Sequence, residues 1–205
     1  MYRTLLPVIL CLFQLTPNAA VAQETPWTQS HRLEAQADYK GALAALDPLL
    51  KDSPEEYVVL RAGWLNYLGG NYGGATELYR RALNMNPESI DAALGLTLPL
   101  MAQGRWREAA TYAGQVLKKA PWQYYAHVRL MACEEALGQW ETLANHAAAT
   151  IQRYPSDATL WVYRARAEAA RGHRDEALRA YEKVLERVPA NQEAVRYIRN
   201  AQAER

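Results

Sequence analysis

The sequence predicts an all-α fold of stacked helical hairpins, because three features recur along it with one period. Five of the ten prolines lie at intervals of 33, 34, 34 and 34 residues. A small residue lies seventeen positions before each of them, and an aromatic residue lies fifteen positions before four of the five. The prolines are Pro54, Pro87, Pro121, Pro155 and Pro189. Self-similarity at such a period is typical of solenoids, in which neighbouring units share one elongated core.

Each unit is predicted to hold two short helices joined by a tight turn. Apolar residues recur at helical spacing in the second half of a unit, as in 75–83 and 177–185. A glycine just past a helix can adopt the left-handed conformation that ends it, and the proline stops the second helix. The small residues predicted at the turns are Ala37, Gly70, Gly104, Gly138 and Gly172.

A further column, twelve residues before the prolines, governs how closely the two helices of a unit approach. Four units carry alanine there, which is small enough for two helix backbones to pack closely. The fourth unit departs from the pattern with Leu143. The alanines are Ala42, Ala75, Ala109 and Ala177.

These columns resemble the tetratricopeptide repeat family, most closely in residues 70–87 and 172–189. The first helices match less well, and Thr97 and Pro99 depart from the pattern in the third unit. Pro99 is expected to remove a helical hydrogen bond and bend its helix. The resemblance covers about residues 23–189, and it implies a right-handed superhelical α-solenoid of helix-turn-helix hairpins with a C-terminal cap helix.

The chain is predicted to comprise about five repeats after a short N-terminal segment. The polar-faced stretch near the C-terminus is expected to form the cap helix. The predicted repeats are 23–55, 56–89, 90–123, 124–157 and 158–191, and the predicted cap helix is 192–204.

Residues 1–22 are predicted to be a cleavable signal peptide. Arg3 precedes an apolar run over 5–15, and an Ala-x-Ala site ends at Ala22. The run is too short for a membrane-spanning helix. Cys11 lies inside the run with no small residue beside it, which argues against lipidation. The chain is therefore expected to be exported to the periplasm, with Cys133 as its one remaining cysteine.

The charge balance excludes some classes of partner. The chain has 23 basic and 22 acidic side chains, for a formal net charge of +1. A nucleic-acid-binding protein needs a surplus of basic residues, so none is expected here. A polybasic membrane-binding surface is equally unsupported.

No catalytic or metal-binding constellation is predicted, so the chain is expected to be a non-enzyme without a cofactor. The four histidines lie far apart in the sequence, and we expect them not to form a cluster. The glycine-rich stretch 69–74 is explained by an interhelical turn. The acidic pairs 55–56 and 134–135 are explained by solvated helix surface, and Cys133 by close packing.

The resemblance implies that the first helices line a concave groove, which in this family commonly holds a peptide or a partner helix. Carried over by position, the groove is predicted to be mainly apolar and aromatic. The predicted groove residues are Trp27, Tyr57, Leu60, Trp64, Tyr67, Leu94, Leu98, Met101, Tyr125, Val128 and Arg166. A contact between an anionic group of the partner and one or more arginines is left open as a further possibility. The arginines concerned are Arg61, Arg129 and Arg166.

The tryptophans divide between the core and the surface. Trp106, Trp140 and Trp161 occupy columns that the fold itself needs. Trp27, Trp64 and Trp122 do not occupy such columns, and tryptophan on a predicted surface indicates a binding site. For Trp64 and Tyr67, the alternative is packing between neighbouring repeats. Trp122 follows a repeat-ending proline, and it is assigned either to an interface or to an inter-repeat seam.

The sequence therefore favours a protein–protein interaction scaffold or assembly factor of the bacterial envelope, with a protein or peptide partner in its groove. The alternative is structural self-assembly into homo-oligomers through the faces of the repeats.

Overall fold

The computed structural model describes residues 24–51 and 54–203. The predicted signal peptide lies outside the described residues. The described part of the chain is all-α, with twelve helices and no strand. The helices are α1 Pro26–Ala35, α2 Tyr39–Ala44, α3 Asp47–Leu50, α4 Glu56–Leu68, α5 Tyr72–Met85, α6 Ile90–Ala102, α7 Trp106–Lys119, α8 Tyr124–Ala136, α9 Trp140–Arg153, α10 Ala158–Ala170, α11 Arg174–Arg187 and α12 Gln192–Ala203.

The helices pair in chain order into hairpins that stack on one another. The hairpins are α4/α5, α6/α7, α8/α9 and α10/α11, preceded by α1 with α2 and followed by α12. The first helices α4, α6, α8 and α10 also contact one another in succession, and each second helix contacts the first helix of the next hairpin. The result is the predicted all-α solenoid of helical hairpins.

The turns within the hairpins adopt the predicted left-handed conformation. All five small residues of the turn column have positive φ, and Ala37 is the one among them that is not glycine, with φ of 59°. In the other four turns φ lies between 67° and 78°. The backbone conformation, and not side-chain contact, explains why glycine recurs in this column.

The second helix of the first hairpin is split, which the repeat pattern did not predict. α2 ends at Ala44, and the short α3 begins at Asp47. Pro48 lies in the first turn of α3, and it has no N–H to donate to the carbonyl of Ala44. Pro99 acts differently, since α6 continues past it to Ala102.

The core is a series of clusters shared between consecutive hairpins, as expected when no unit buries its apolar face alone. The predicted alanine column is fully buried, and so is Leu143. One cluster joins Tyr79 of α5 to Leu96 and Leu100 of α6 and to Cys133 of α8. None of the helices in the described ranges is long and apolar enough to cross a membrane.

Candidate partner-binding face

The first helices bring predicted groove residues of different repeats into contact. The rings of Trp27 on α1 and Tyr57 on α4 are 5.1 Å apart between centroids. Tyr57 is 57% exposed, and Trp27 is half-buried against the core. We call the surface formed by the predicted groove residues on α1, α4, α6, α8 and α10 the first-helix face.

Trp64 takes part both in the first-helix face and in packing between repeats. Its indole Nε1–H donates to Oε1 of Glu34 on α1, with a distance of 2.7 Å. Its ring lies 5.7 Å from that of Tyr67, which in turn lies 5.8 Å from Tyr72. Trp64 and Tyr67 are half-buried. The contact with Glu34 agrees with the alternative that Trp64 packs between repeats, and its assignment to a partner-binding groove stays a prediction.

Arg61 is a buried cation between the first two repeats. It is 7% exposed, donates to Glu34 and lies 3.3 Å from the hydroxyl oxygen of Ser30. Burial acts to raise the pKa of Glu34, but hydrogen bonds from Trp64 and Arg61 outweigh it and lower that pKa below its usual value. Because Arg61 is already paired with Glu34, the sequence-based option that it contacts an anionic partner is not supported.

The middle of the first-helix face is aliphatic, and part of it belongs to the core. Leu60 and Met101 are half-buried against the cluster around Tyr79. Leu98 is half-buried, and Val128 is half-buried against a cluster of the fourth and fifth hairpins. Leu94 departs from the prediction, since it is only 8% exposed and its side chain packs in the core.

Arg129 of α8 is also held within the protein. Its guanidinium donates to the carbonyl of Leu94 and, at 3.0 Å, to the hydroxyl of Thr97. Burial lowers the pKa of Arg129. Thr97 departs from the family pattern in sequence, and its hydroxyl serves here as an acceptor between the third and fourth repeats.

The C-terminal end of the first-helix face is polar and ion-paired. Arg166 of α10 contacts Oε2 of Glu193 on α12 at 2.6 Å and Oε1 of Glu135 on α8 at 3.2 Å. The hydroxyl of Tyr181 donates to Glu193 over 2.7 Å. The hydrogen bond with Glu193 raises the pKa of Arg166. This arginine therefore connects two repeats to the cap helix and is not a free site for an anion.

A second exposed aromatic group lies at the junction of the third and fourth hairpins. Tyr125 and Trp122 are both more than half exposed. Tyr125 lies 5.4 Å from Tyr124, whose hydroxyl donates to Asp157 at 2.6 Å. The guanidinium of Arg153 lies 5.9 Å from the ring centre of Trp122. Trp122 is therefore an exposed residue of this junction.

Family models match the chain at both ends. Two models described as tetratricopeptide repeats match residues 28–93 and 158–198. The chain belongs to the tetratricopeptide repeat family. A TPR repeat-containing thioredoxin of Arabidopsis thaliana, TTL4, is 33% identical over 97 residues. That match spans 47% of this chain but only 14% of the length of the relative.

Solved structures show the same fold at low sequence identity. MamA from Desulfovibrio magneticus RS-1 has a TM-score of 0.73 at 16% identity, covering 80% of this chain and 93% of that one. YrrB, described as a TPR protein with an unusual peptide-binding site, has a TM-score of 0.71 at 20% identity, covering 83% and 89%. At this identity the likeness establishes the tetratricopeptide repeat fold.

Two expectations about titratable residues of this tetratricopeptide repeat chain are wrong. His127 and His146 do meet, with Nδ1 of the first 2.8 Å from Nε2 of the second. Glu134 and Glu135 are not merely solvated, because Glu134 is buried against His146 and Glu135 pairs with Arg166. Within the described ranges, no group of histidine, cysteine and acidic side chains is arranged to hold a metal ion.

Cys133 lies in the core, as expected from its close-packing position. It is fully buried, and burial raises the pKa of its thiol to about 11. A thiol with so high a pKa carries almost no thiolate at neutral pH and is a poor nucleophile.

Proposed function

We propose that this chain is a non-enzymatic interaction scaffold that holds a segment of another protein on its first-helix face. One observation carries the proposal. Trp27 and Tyr57 form an aromatic pair across two successive first helices, and Tyr57 is exposed. Large aromatic side chains are the commonest anchors of protein interfaces because they bury much area at little cost in side-chain entropy.

The electrostatics of the face support an apolar mode of binding. Arg61, Arg129 and Arg166 each have a partner inside the protein. None of these three arginines is free to pair with an anion, and the aromatic and aliphatic side chains of the face therefore favour an uncharged segment over an acidic one. The likeness in fold to YrrB, which is described as having a peptide-binding site, supports a peptide as the occupant.

We further propose that the chain acts in the bacterial envelope, as an assembly factor of the periplasm. The support is the N-terminal sequence, with Arg3, the apolar run over 5–15 and the cleavage pattern at Ala22.

Affinity capture from an envelope extract, followed by identification of the bound protein and measurement of its dissociation constant, tests the proposal. Tyr57→Ala is expected to weaken binding of that partner by about 10- to 30-fold. The matched control is Met85→Ala on α5 of the same hairpin, where Met85 is 43% exposed. Equal affinities for Tyr57→Ala and the native chain would refute binding at the first-helix face.

Light scattering after size-exclusion chromatography separates a foreign partner from self-assembly. If a second copy occupies the first-helix face, the mass of the native chain rises with concentration and Tyr57→Ala returns it to that of a monomer. A monomer at all concentrations leaves the face available to another protein.

A further inference from the structure

A buried chain of polar groups joins the two helices of the fourth hairpin. The carbonyl of Pro121 lies 2.9 Å from Nε2 of His127 on α8. Nδ1 of His127 lies 2.8 Å from Nε2 of His146 on α9. Nδ1 of His146 lies 3.0 and 3.1 Å from the two carboxylate oxygens of Glu134 on α8. We call His127, His146 and Glu134 the histidine relay.

The hydrogen-bond inventory of the histidine relay fixes its number of protons. A carbonyl only accepts, so Nε2 of His127 carries a hydrogen. The contact between the two rings needs one hydrogen, and an ionised Glu134 needs another from Nδ1 of His146. Two neutral imidazoles carry only two N–H hydrogens. The network therefore needs one extra proton. The network holds the same three hydrogens if the extra proton resides on a carboxyl oxygen of Glu134, which then donates to Nδ1 of His146.

The surroundings indicate where the extra proton resides. Burial lowers the pKa of His127, and the charges that act on it are those of His146 and Glu134. His127 is therefore the neutral ring, and its bare Nδ1 accepts from His146. The proton belongs to the unit formed by His146 and Glu134, both of which are shielded from solvent.

Other charged groups near the histidine relay have their own partners or lie at its edge. On α10, Arg164 donates to the carbonyl of Ala144 and pairs with Glu168. On α9, Arg153 stacks on Trp122, whose ring lies 6.3 Å from that of His127. On α8, Cys133 is beside Glu134, and its thiol is un-ionised at neutral pH.

The relay lies in the hairpin that departs from the alanine column. Leu143 is fully buried where the other hairpins have alanine. A larger side chain at this position opposes the close backbone approach that alanine permits, so polar groups have room to cross between α8 and α9.

We propose that the histidine relay is a proton-dependent clasp that holds α8 to α9 while it retains one shared proton, and that loosens the fourth hairpin when this proton is lost. Removal of the proton leaves two hydrogens for three contacts, so at one of the contacts two lone pairs face each other. One buried hydrogen bond is then replaced by a repulsive contact.

The sign of the pH effect follows from proton linkage. In the unfolded chain, histidine loses its proton near its ordinary pKa of about 6.5. The proposed clasp requires that the folded chain hold one proton in the hydrogen bonds of the relay that the unfolded chain has lost above this pH. Unfolding therefore releases a proton above this pH, and the unfolding equilibrium constant rises by up to about tenfold per pH unit.

Glu134→Gln is the decisive variant, compared with the native chain by urea unfolding between about pH 6 and pH 8. The amide of glutamine can donate to Nδ1 of His146, so the network is satisfied without the extra proton. We expect the ratio of the two unfolding constants, native over variant, to rise with pH. A ratio that stays constant over this range overturns the proposal. Glu141→Gln, at an exposed position on α9, is expected to keep the native pH dependence.

Nitrogen NMR of the native chain provides a second readout that does not depend on the stability of a variant. The chain has four histidines, which can be assigned by replacing each in turn. We expect His127 to be neutral with its hydrogen on Nε2, and His146 at pH 7 to be protonated or to share a proton with Glu134. A neutral His146 with no proton shared with Glu134 would overturn the clasp.

Discussion

The phenol ring of Tyr79 occupies the space that a side chain at Gly95 would fill. A Cβ at Gly95 would overlap ring atoms of Tyr79, and the same ring lies 3.2 Å from where a Cβ of Gly63 would be. Gly63 is on α4 and Gly95 is on α6, so one tyrosine of α5 packs against two successive first helices. The absence of two side chains thus sets the spacing of the second and third hairpins.

Gly95→Ala is expected to lower the free energy of unfolding by about 1 to 3 kcal/mol, because the methyl group forces Tyr79 out of its position. The matched control is Gly114→Ala in α7, where the new Cβ would point into open space beside its own helix. That change is expected to stabilise the chain by about 0.5 to 1 kcal/mol through helix propensity. Urea denaturation of both variants checks the contrast in sign, and a stabilised Gly95→Ala would contradict the packing described here.

Glu168 is a second buried group whose removal should be costly. It is 1% exposed and contacts Arg164, Arg171 and His173 at 2.6, 2.9 and 2.9 Å. Glu168→Gln is expected to destabilise the chain by about 2 to 3 kcal/mol. This is below the usual cost of breaking a buried pair because the three partners reach solvent. Thermal and urea unfolding measure the loss, with the exposed Glu182→Gln as a control that is expected to be nearly neutral.

Ala37 is the one described non-glycine residue in the left-handed region. Ala37→Gly should raise the free energy of unfolding by roughly 1 kcal/mol, because glycine adopts positive φ without a clash of Cβ. The same change at Ala149, exposed within α9, should lower it by about 0.5 to 1 kcal/mol. Denaturation experiments are expected to show a higher free energy of unfolding for Ala37→Gly and a lower one for Ala149→Gly. A lower free energy of unfolding for both variants would contradict the left-handed conformation of Ala37.

The contacts of Glu34 predict a loss of stability in acid. Burial favours a higher pKa for Glu34, but the hydrogen bonds from Trp64 and Arg61 bring it below the ordinary value of 4.5. The folded chain therefore binds fewer protons at Glu34 than the unfolded chain, and this contribution is present above pH 4.5 and lost as the pH falls through the folded pKa. Glu34→Gln should show a shallower fall in unfolding free energy below that pH, by about 1 kcal/mol. Glu77→Gln on α5, at an exposed position, serves as the control and should follow the native curve.

The repeating architecture could be predicted from sequence because its determinants are local and periodic. Proline and glycine act on the backbone at their own positions, and the alanine column reports one type of close contact. Cys133 occupies a close-packing position of the repeat pattern, and it is fully buried in the core. The break between α2 and α3 also has a local cause in Pro48, but Pro48 lies outside the proline column that predicts the ends of repeats.

The charged interior could not be predicted in the same way. His127 and His146 are nineteen residues apart, and their contact depends on how α8 lies against α9. Arg166 meets Glu135 and Glu193 because first helices of successive repeats adjoin. The feature of the sequence that could have predicted these ion pairs is the opposite charge of residues at neighbouring positions of consecutive first helices. Residue types alone suggested solvated surface, since acidic side chains are seldom buried unless they are paired.

The interrupted second helix of the first hairpin has fewer continuous helical hydrogen bonds than the unbroken second helices α5, α7, α9 and α11. Pro48 shortens the run of helical hydrogen bonds at this point of the described chain. Amide hydrogens of α2 and α3 are therefore expected to exchange with solvent sooner than those of the unbroken second helices. An occupant bridging Trp27 and Tyr57 would span the first two hairpins on either side of this break, so its binding would slow that exchange.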